Sequence, residues 1–322
     1  MNLLILSVGR RCEIVDYFKQ EFDRVLAVDI TEYAPALYHA DSYFVLKKDL
    51  EAPLDYMEGV LKICEREKVT AILTLIDPEL LLLDQYRQRF LDIGTIPILS
   101  EAKVIRNTYD KYSFYCENRE ILNLVATYDS PEEVLEKHSF DNNSPLIIKP
   151  ICGSGSVGIN TIHYANEFKT LKFNRKYHYI YQPFIFGKEY GIDLYFDMNT
   201  KRIVSIFMKE KISLRAGETD KAVSVFSDDI WREVKKMESC GRFSGPVDVD
   251  VFVKNDGTVY LNEVNPRIGG GYPMAHACGI NFMKLTAGNL RGETHSPQIG
   301  GYPEGVKMMK YSQVLSLNGR ES

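Results

Sequence analysis

The chain has 322 residues, of which 45% are hydrophobic and 26% are charged, and its formal net charge is −5. This length and composition are typical of a globular protein with two or three structural units and exclude a disordered chain. Because charges of both signs are interspersed, there is no general case for nucleic acid or anionic membranes as partners, and small molecules are the expected ligands.

The cysteines and the N-terminus bear on the cellular compartment. The six cysteines are widely spaced and form no CxxC pair, which favours reduced thiols over a zinc site or a disulfide framework. The opening MNLLILSVGRR has no basic segment before its apolar run, which stops at Gly9 and is too short for a signal peptide or a membrane span. We therefore expect a cytoplasmic protein without a membrane partner.

The first hundred residues alternate apolar and amphipathic segments: LLILSV, CEIVDYFKQEF, RVLAVDI, YMEGVLKICEREK and VTAILTLI. Apolar strands that alternate with amphipathic helices predict βαβ units and a parallel sheet. Asp29 ends the second strand, where an acid that binds ribose would lie in a dinucleotide fold. However, the first turn, SVGRRCE, has one glycine instead of three, and a sheet-terminal aspartate without a ligand is at least as well supported.

The loop ICGSGSVG lies between two predicted strands, PLIIKP and INTIHY. Gly153, Gly155 and Gly158 match the G-x-G-x-x-G fingerprint, but in a dinucleotide fold the third glycine opens a helix, whereas INTIHY alternates like a strand. The loop follows Lys149, and backbone N–H groups in such a small-residue loop can approach phosphate oxygens closely. A plain hairpin loop with an exposed lysine is the alternative.

From about residue 145 the predicted strands follow one another through short turns, which indicates an antiparallel sheet and α+β architecture. In GPVDVDVFVKNDGTVYLNEVNPR the alternation puts Asp248 and Asp250 on one face. A turn at Asp256 and Gly257 sets Asp250 opposite Glu263, and Asp248 opposite the asparagine of the NPR segment. Facing carboxylates call for a cation, and these oxygen ligands suit Mg²⁺ that bridges phosphates. A solvated acidic face on an edge hairpin is the alternative.

Lys149, the glycine loop, YQPFIFGKEY and YLNEVNPR occur in this order, and together they resemble the ATP-grasp superfamily, especially single-chain relatives of the carbamoyl-phosphate synthase large subunit. The resemblance covers nearly the whole chain. It implies an α/β plus α+β fold: a parallel pre-ATP-grasp domain over residues 1–105, a small nucleotide-clasping subdomain over 106–181, and a large subdomain over 182–322. The last would contain a C-terminal antiparallel sheet and the magnesium and substrate site.

The resemblance implies ATP as the nucleotide, together with a set of contacts. Two lysines and the small-residue loop would bind and cover the phosphates: Lys111, Lys149, Gly153, Ser154, Gly155, Ser156 and Gly158. The hinge segment and one acid would contact the adenine and the ribose: Gln182, Pro183, Phe184, Ile185 and Glu189. Many relatives have glutamate where this chain has Gln182, and an amide can also hydrogen-bond an adenine edge.

Metal and catalytic roles follow from the same resemblance. Magnesium, with Mn²⁺ as a substitute, would be bound by Asp250, Glu263 and Asn265. Arg267 and Arg215 would face the γ-phosphate and the acyl intermediate, with Lys149 as a third catalytic cation.

The implied activity is ATP-dependent ligation, in which a carboxylate is activated as an acyl phosphate and transferred to an amine or similar nucleophile. Two alternatives stay open: phosphorylation of bicarbonate with a partner chain, as in carbamoyl-phosphate synthase, and a nucleotide-binding module without turnover. The expected partners are small carboxylates and amines, with no nucleic acid, and a homodimer is left open. Arg10 or Arg11 would clamp a substrate carboxylate or be plain surface charge.

Overall fold

The computed structural model describes residues 1–138, 144–153, 158–164, 166–167 and 177–317. Three of the predicted loop residues, Ser154, Gly155 and Ser156, lie outside these ranges. Within them, no helix is long and apolar enough to cross a bilayer. All six cysteines lie in described ranges, and none of them is paired in a disulfide.

The N-terminal part contains a five-stranded parallel sheet. Its strands are β1 (Asn2–Leu6), β2 (Arg24–Asp29), β3 (Ser42–Val45), β4 (Ala71–Thr74) and β5 (Ile96–Pro97), in the order β3-β2-β1-β4-β5. Its helices are α1 (Cys12–Lys19), α2 (Leu54–Arg66), α3 (Asp77–Gln85) and α4 (Arg87–Asp92), with a 3₁₀ turn at Pro35–His39. Residues 3–6 of β1 are fully buried, as expected for a central parallel strand that is covered on both faces.

A small antiparallel sheet follows three helices. The helices are α5 (Ala102–Tyr109), α6 (Lys111–Asn118) and α7 (Pro131–Lys137), and the strands are β6 (Leu146–Pro150), β7 (Asn160–Ile162) and β8 (Tyr179–Pro183), with β6 in the centre. The Asp110 side chain accepts a hydrogen bond from the backbone N–H of Ser113 and caps α6. The cap begins the helix at Lys111, whose backbone N–H donates to the carbonyl of Ile151 at 3.2 Å. This contact ties α6 to the end of β6.

The remaining strands form a seven-stranded sheet. They are β9 (Gly187–Phe196), β10 (Ile203–Arg215), β11 (Glu218–Val225), β12 (Gly245–Lys254), β13 (Val259–Asn265), β14 (Gln298–Ile299) and β15 (Lys307–Met309). The order is β13-β12-β9-β10-β11-β15, all antiparallel, and β14 pairs parallel to β10. Helices α8 (Asp228–Lys235), α9 (Tyr272–Ala277) and α10 (Phe282–Leu290), with a 3₁₀ turn at Lys236–Ser239, complete the fold. The predicted combination of a parallel sheet followed by antiparallel sheets is confirmed.

The predicted pairing of the acids in the β12–β13 hairpin is confirmed, but the strand register near the turn differs from the predicted one. Asp250 lies opposite Glu263, and Asp248 lies opposite Asn265. Nearer the turn the register is shifted by one residue, because the connection is longer than the two-residue turn at Asp256 and Gly257. A bulge at Asn262 then restores the predicted pairing.

Buried apolar side chains form several clusters, and one of them spans the parallel sheet and the large sheet. One cluster joins strands of the parallel sheet to side chains of the large sheet and of α9 and α10, including Ile5, Phe18, Phe207, Met274 and Phe282. The three-stranded sheet has a separate small cluster, formed by Val134, Leu146, Ile148, Ile162 and Tyr181. The parallel sheet and the large sheet are therefore packed on shared apolar side chains.

Candidate active site

A pocket of about 230 Å³ opens between the three-stranded and seven-stranded sheets. It brings together most of the predicted site residues: Lys111, Lys149, Gly153, Gln182, Pro183, Phe184, Ile185, Glu189, Asp250 and Glu263. Apolar side chains such as Ile147, Leu214 and Phe252 complete its walls. An apolar cleft with a few convergent charged groups is typical of a small-molecule site.

The two predicted phosphate-binding lysines lie on the same side of the pocket. Lys149, on the central strand β6, is buried and donates to the side-chain oxygen of Asn262 at 3.2 Å. Burial lowers the pKa of Lys149 to about 8, because a low-dielectric environment disfavours the charged form. Lys111 donates to the carbonyl of Gly153 at 2.7 Å and lies 3.9 Å from the Glu263 carboxylate.

The predicted adenine-contact segment joins β8 to β9. The Gln182 side chain is buried, and its amide nitrogen donates to the Thr127 hydroxyl at 2.8 Å. Phe184 is partly exposed and packs edge-on against Phe186. The segment therefore offers the pocket an aromatic face and backbone groups, while the amide nitrogen of Gln182 is already engaged within the protein.

Glu189 and Asp250 are held by a lysine that the sequence analysis missed. Lys211 on β10 donates to Glu189 at 2.8 Å and to Asp250 at 2.5 Å. Burial alone would lower the pKa of Lys211, but the two carboxylates outweigh it and raise the pKa. Burial raises the pKa of Asp250, and the neighbouring Glu189 and Glu263 add to the effect against the opposing charge of Lys211. The acids thus form a cluster whose charge a cation must balance.

The predicted metal ligands offer a suitable but incomplete oxygen set. Asp250 and Glu263 face each other across the hairpin and line the pocket, while Asn265 lines a small crevice beside it that also includes Lys111 and Gly153. Among the described residues, no group of three or more His, Cys, Asp or Glu side chains is arranged to hold a metal. Two carboxylates and an amide fit Mg²⁺, which commonly takes one or two protein carboxylates and completes its shell with water and phosphate oxygens.

Arg267 follows β13 and is held by two carboxylates. Its guanidinium bonds Asp77 at 3.0 Å and Asp248 at 3.4 Å. Burial alone would lower the pKa of Arg267, but Asp77 and Asp248 outweigh it and raise the pKa. Asp77 begins α3 in the N-terminal part and was not predicted as a site residue. The contact joins the parallel sheet to the segment that follows β13.

The three glycines after Arg267 allow close packing of charged side chains. A Cβ at Gly269 would overlap the Asp248 carboxylate, and one at Gly271 would overlap the Lys209 side chain. Lys209 is itself buried in an ion pair with Asp193. These glycines are therefore explained by contacts within the protein, since only a residue without Cβ permits such an approach.

Four of the predicted site residues in the described ranges do not line the pocket: Asn265, Arg267, Arg215 and Gly158. Arg215 is exposed at the tip of the β10–β11 hairpin, where Ala216 and Gly217 have φ of 52° and 77°, although its neighbours Leu214 and Gly217 do line the pocket. Gly158 has a φ of 78° and packs against Pro150. The hairpin tip places Arg215 beside the pocket but leaves its side chain in solvent.

Comparisons with known proteins give a family for most of this architecture. The family described as PylC-like, N-terminal domain matches residues 3–98, and the family described as ATP-grasp domain matches residues 109–271. No curated protein matches the chain in sequence.

Solved structures with low sequence identity share the fold. N5-carboxyaminoimidazole synthetase from Staphylococcus aureus, complexed with ADP, has a TM-score of 0.71 at 17% identity, over 92% of this chain and 78% of that one. A biotin carboxylase complex from Campylobacter jejuni has a TM-score of 0.74 at 13% identity, over 95% and 74% of the two chains. L-amino acid ligase from Bacillus licheniformis has a TM-score of 0.66 at 21% identity, over 92% and 75%. Since the ATP-grasp match spans slightly more than half of the sequence, the chain belongs to the ATP-grasp family, with a PylC-like N-terminal domain before the ATP-grasp domain.

Proposed function

We propose that the protein is an ATP-dependent ligase that converts a carboxylate to an acyl phosphate and transfers the acyl group to an amine or a similar nucleophile. The products besides the ligated compound are ADP and phosphate. The observation that carries the proposal is the single pocket that Lys111, Lys149, Asp250 and Glu263 line together. Cations for phosphates and oxygen ligands for a metal thereby meet in one place.

The nucleotide is proposed to lie along the pocket, with its phosphates at the two lysines and its adenine at the hinge segment. Lys111 and Lys149 bind phosphate oxygens, and the loop Gly153, Ser154, Gly155, Ser156 and Gly158 covers them. The aromatic and backbone groups of Gln182 to Ile185 contact adenine, and Glu189 accepts hydrogen bonds from the ribose. The apolar walls that flank the hinge support this orientation.

The metal is proposed to be Mg²⁺, or Mn²⁺ in its place, bound by Asp250, Glu263 and Asn265. The bound ion would neutralise charge on the phosphates of the nucleotide. Lys211 contacts the Oδ1 atom of Asp250 and also bonds Glu189, so the second carboxylate oxygen of Asp250 would be the one that binds the metal.

The chemistry is proposed to proceed by positioning and charge stabilisation. A carboxylate oxygen of the substrate attacks the γ-phosphorus, and the bond to the leaving ADP oxygen breaks. The nucleophile then attacks the acyl carbon, phosphate leaves, and the nucleophile loses its proton to solvent. Arg267, Lys149 and Arg215 stabilise the negative charge of the transferred group, which is the main task of such a site.

The comparisons support the class of reaction. The neighbours include a synthetase complexed with ADP, a biotin carboxylase and an amino acid ligase, and ADP, a carboxyl group and a ligated product are also the elements of the proposed reaction. The division into units 1–105, 106–181 and 182–322 belongs to this proposal, with ATP held between the last two.

The test is ADP release with Mg·ATP across a panel of small carboxylates and amines, with hydroxylamine to trap an acyl phosphate. We expect ADP release that depends on one carboxylate and a hydroxamate of that carboxylate. ADP release with bicarbonate and ammonia alone would favour the carbamoyl-phosphate reaction. ATP binding without any substrate-dependent ADP would favour a binding module, and a preference for NAD over ATP would contradict the nucleotide assignment.

A further inference from the structure

The crevice beside the pocket lies at the switch point of the parallel sheet. The strand order β3-β2-β1-β4-β5 reverses between β1 and β4, and ligands of open α/β sheets bind outside the carboxyl ends of the strands at such a point. Arg11 follows β1 and Asp77 follows β4. Both residues therefore flank the place where this sheet would be expected to contact a ligand.

Charged side chains of the large sheet and of the segment after it meet the parallel sheet beside this crevice, where Asp77 is a lining residue. Arg267 bonds Asp77 and Asp248, yet the buried Nε of Arg267 and Oδ1 of Asp77 have no hydrogen-bond partner among the described residues. Buried polar atoms without partners are rare in folded proteins, and such atoms commonly bind a water molecule or a ligand. The two atoms indicate that a polar molecule completes the crevice.

Arg11 lies beside this crevice, because its guanidinium and that of Arg267 both contact the carbonyl of Ile268, at 3.5 and 3.3 Å. Most of the hydrogen-bonding capacity of Arg11 is unused. Its guanidinium lies 3.5 Å from a Glu218 oxygen and 3.5 Å from the carbonyl of Ile268, and its side chain is 22% exposed. A guanidinium has five N–H donors in a planar fork, so two long contacts leave it able to bind an anion. Burial, together with the positive charge of Arg267, lowers the pKa of Arg11, and an anion between the two guanidiniums would relieve both effects.

The neighbouring arginine lacks these features. Arg10 is exposed and has neither a described ion pair nor a described hydrogen bond of its side chain. The two adjacent arginines of the SVGRRCE turn therefore differ. Arg10 acts on Glu218 only through its charge, whereas Arg11 contacts both Glu218 and the carbonyl of Ile268 that Arg267 also contacts.

We propose that Arg11 binds the carboxylate group of the substrate at this switch point, beside the crevice and next to Arg267, and so determines which carboxylates the enzyme accepts. The proposal rests on the proposed ligase function. A guanidinium fork matches a carboxylate in two parallel hydrogen bonds. Because Arg11 and Arg267 both contact the carbonyl of Ile268, a carboxylate on Arg11 is next to the arginine that is proposed to face the transferred phosphate.

The experiment compares wild type with Arg11→Ala, Arg11→Lys and Arg10→Ala. Each protein is saturated with Mg²⁺ and the ATP analogue AMP-PNP, and then titrated calorimetrically with acetate, succinate, L-glutamate, L-lysine and bicarbonate. For the probe that wild type binds best, we expect about 10- to 100-fold weaker binding in Arg11→Ala. Arg11→Lys keeps the charge but loses the fork, and we expect an intermediate loss. Arg10→Ala removes the same charge at the adjacent position, and its affinity for the probe should be within about twofold of that of wild type.

Several outcomes would overturn the proposal. Unchanged binding of the probe by Arg11→Ala would do so, and so would wild-type protein that binds AMP-PNP but none of the carboxylates. Equal loss of AMP-PNP and of the probe in Arg11→Ala and Arg11→Lys would show that Arg11 is a structural tie between Glu218 and Ile268. Failure of the ligase function would be recognised separately, by wild-type protein that binds no nucleotide and releases no ADP.

Discussion

Lys149 is a buried lysine, and the binding of a nucleotide would require its positive charge. Its pKa is lowered to about 8 by burial, so in the free protein it loses its proton above that pH. Since an unfolded lysine has a pKa near 10.5, the unfolded chain binds more protons between about pH 8 and 10.5. This group therefore costs stability below pH 8, and its contribution to the unfolding free energy rises with pH through that window.

Nucleotide affinity should change in the opposite direction. Phosphates favour protonated Lys149, so we expect the affinity for Mg·AMP-PNP to be constant below pH 8 and to fall by up to about tenfold per pH unit above it. Calorimetric titration from pH 7 to 9.5 measures this. Lys149→Arg stays charged over the range, and its affinity should be nearly independent of pH. The same slope in both proteins would rule out Lys149 as the titrating group.

Glu263 is a pocket residue whose carboxylate lies opposite that of Asp250. Glu263→Gln keeps the shape of the side chain but removes the charge that a metal needs. We expect kcat to fall by about 10²- to 10³-fold, with a free energy of unfolding within about 1 kcal/mol of wild type. ADP release and chemical denaturation measure the two effects.

The matched control for Glu263 is Asp256→Asn. Asp256 lies in the connection of the same hairpin, accepts a hydrogen bond from the backbone N–H of Thr258, and does not line the pocket. It should keep wild-type turnover. Near-normal activity of Glu263→Gln would contradict the metal assignment.

At the scale of elements, the alternation in the β12 and β13 sequences was sufficient to predict which acids face each other. The bulge at Asn262 was not predictable, because alternation alone does not show where a strand gains an extra residue. The bulge lets Asn262 and its neighbour Glu263 both line the pocket, and Asn262 bonds Lys149 there. Lys211 was missed for a related reason: the KEK pattern of β10 shows that Lys209 and Lys211 share a face, but the partners of that face depend on the strand order.

Three adjacent strands together hold the charge cluster of Glu189, Lys211 and Asp250. Only 8% of the Lys211 side chain is exposed, so Lys211→Met leaves the carboxylates without their cation. We expect a loss of about 1–3 kcal/mol in the free energy of unfolding. Because Mg²⁺ can then replace the lost charge, millimolar Mg²⁺ should stabilise Lys211→Met more than wild type. Urea denaturation with and without Mg²⁺ measures both effects.

Lys188→Met is the control for this prediction. Lys188 pairs with Glu210 at 3.0 Å on the neighbouring strand, but its side chain is 64% exposed, and such surface pairs contribute little. It should be close to wild type with or without Mg²⁺. Equal responses of the two variants to Mg²⁺ would mean that the cluster does not bind the ion.

At the scale of the whole molecule, the contacts that join the units are the least predictable from sequence. Asp77 and Arg267 are 190 positions apart, and Asp77 looks locally like an ordinary acid in the first turn of a helix. The cluster that includes Ile5, Phe207 and Phe282 likewise crosses from the parallel sheet to the large sheet. Periodicity identifies the apolar face of each element, but it does not show which other face covers it.

The distribution of buried apolar clusters predicts which strands unfold locally most easily. The three-stranded sheet has a small cluster of its own, whereas β9, β10 and β12 are embedded in large ones. Elements with few buried apolar contacts open with a smaller free energy, so amides of β6 and β8 should exchange at least about tenfold faster than those of β9 and β10.

Lys149 and Gln182 lie on β6 and β8 and line the same pocket as Asp250 and Glu263, so Mg·AMP-PNP should bridge the sheets and slow exchange mainly in β6 and β8. Hydrogen exchange measured by mass spectrometry checks this, with Lys149→Met as the variant that should lose the effect. Equal exchange rates of the two sheets in the free protein would contradict the predicted difference in local opening. Slowing by the nucleotide that is confined to β9 and β10 would show that it does not bind between the sheets.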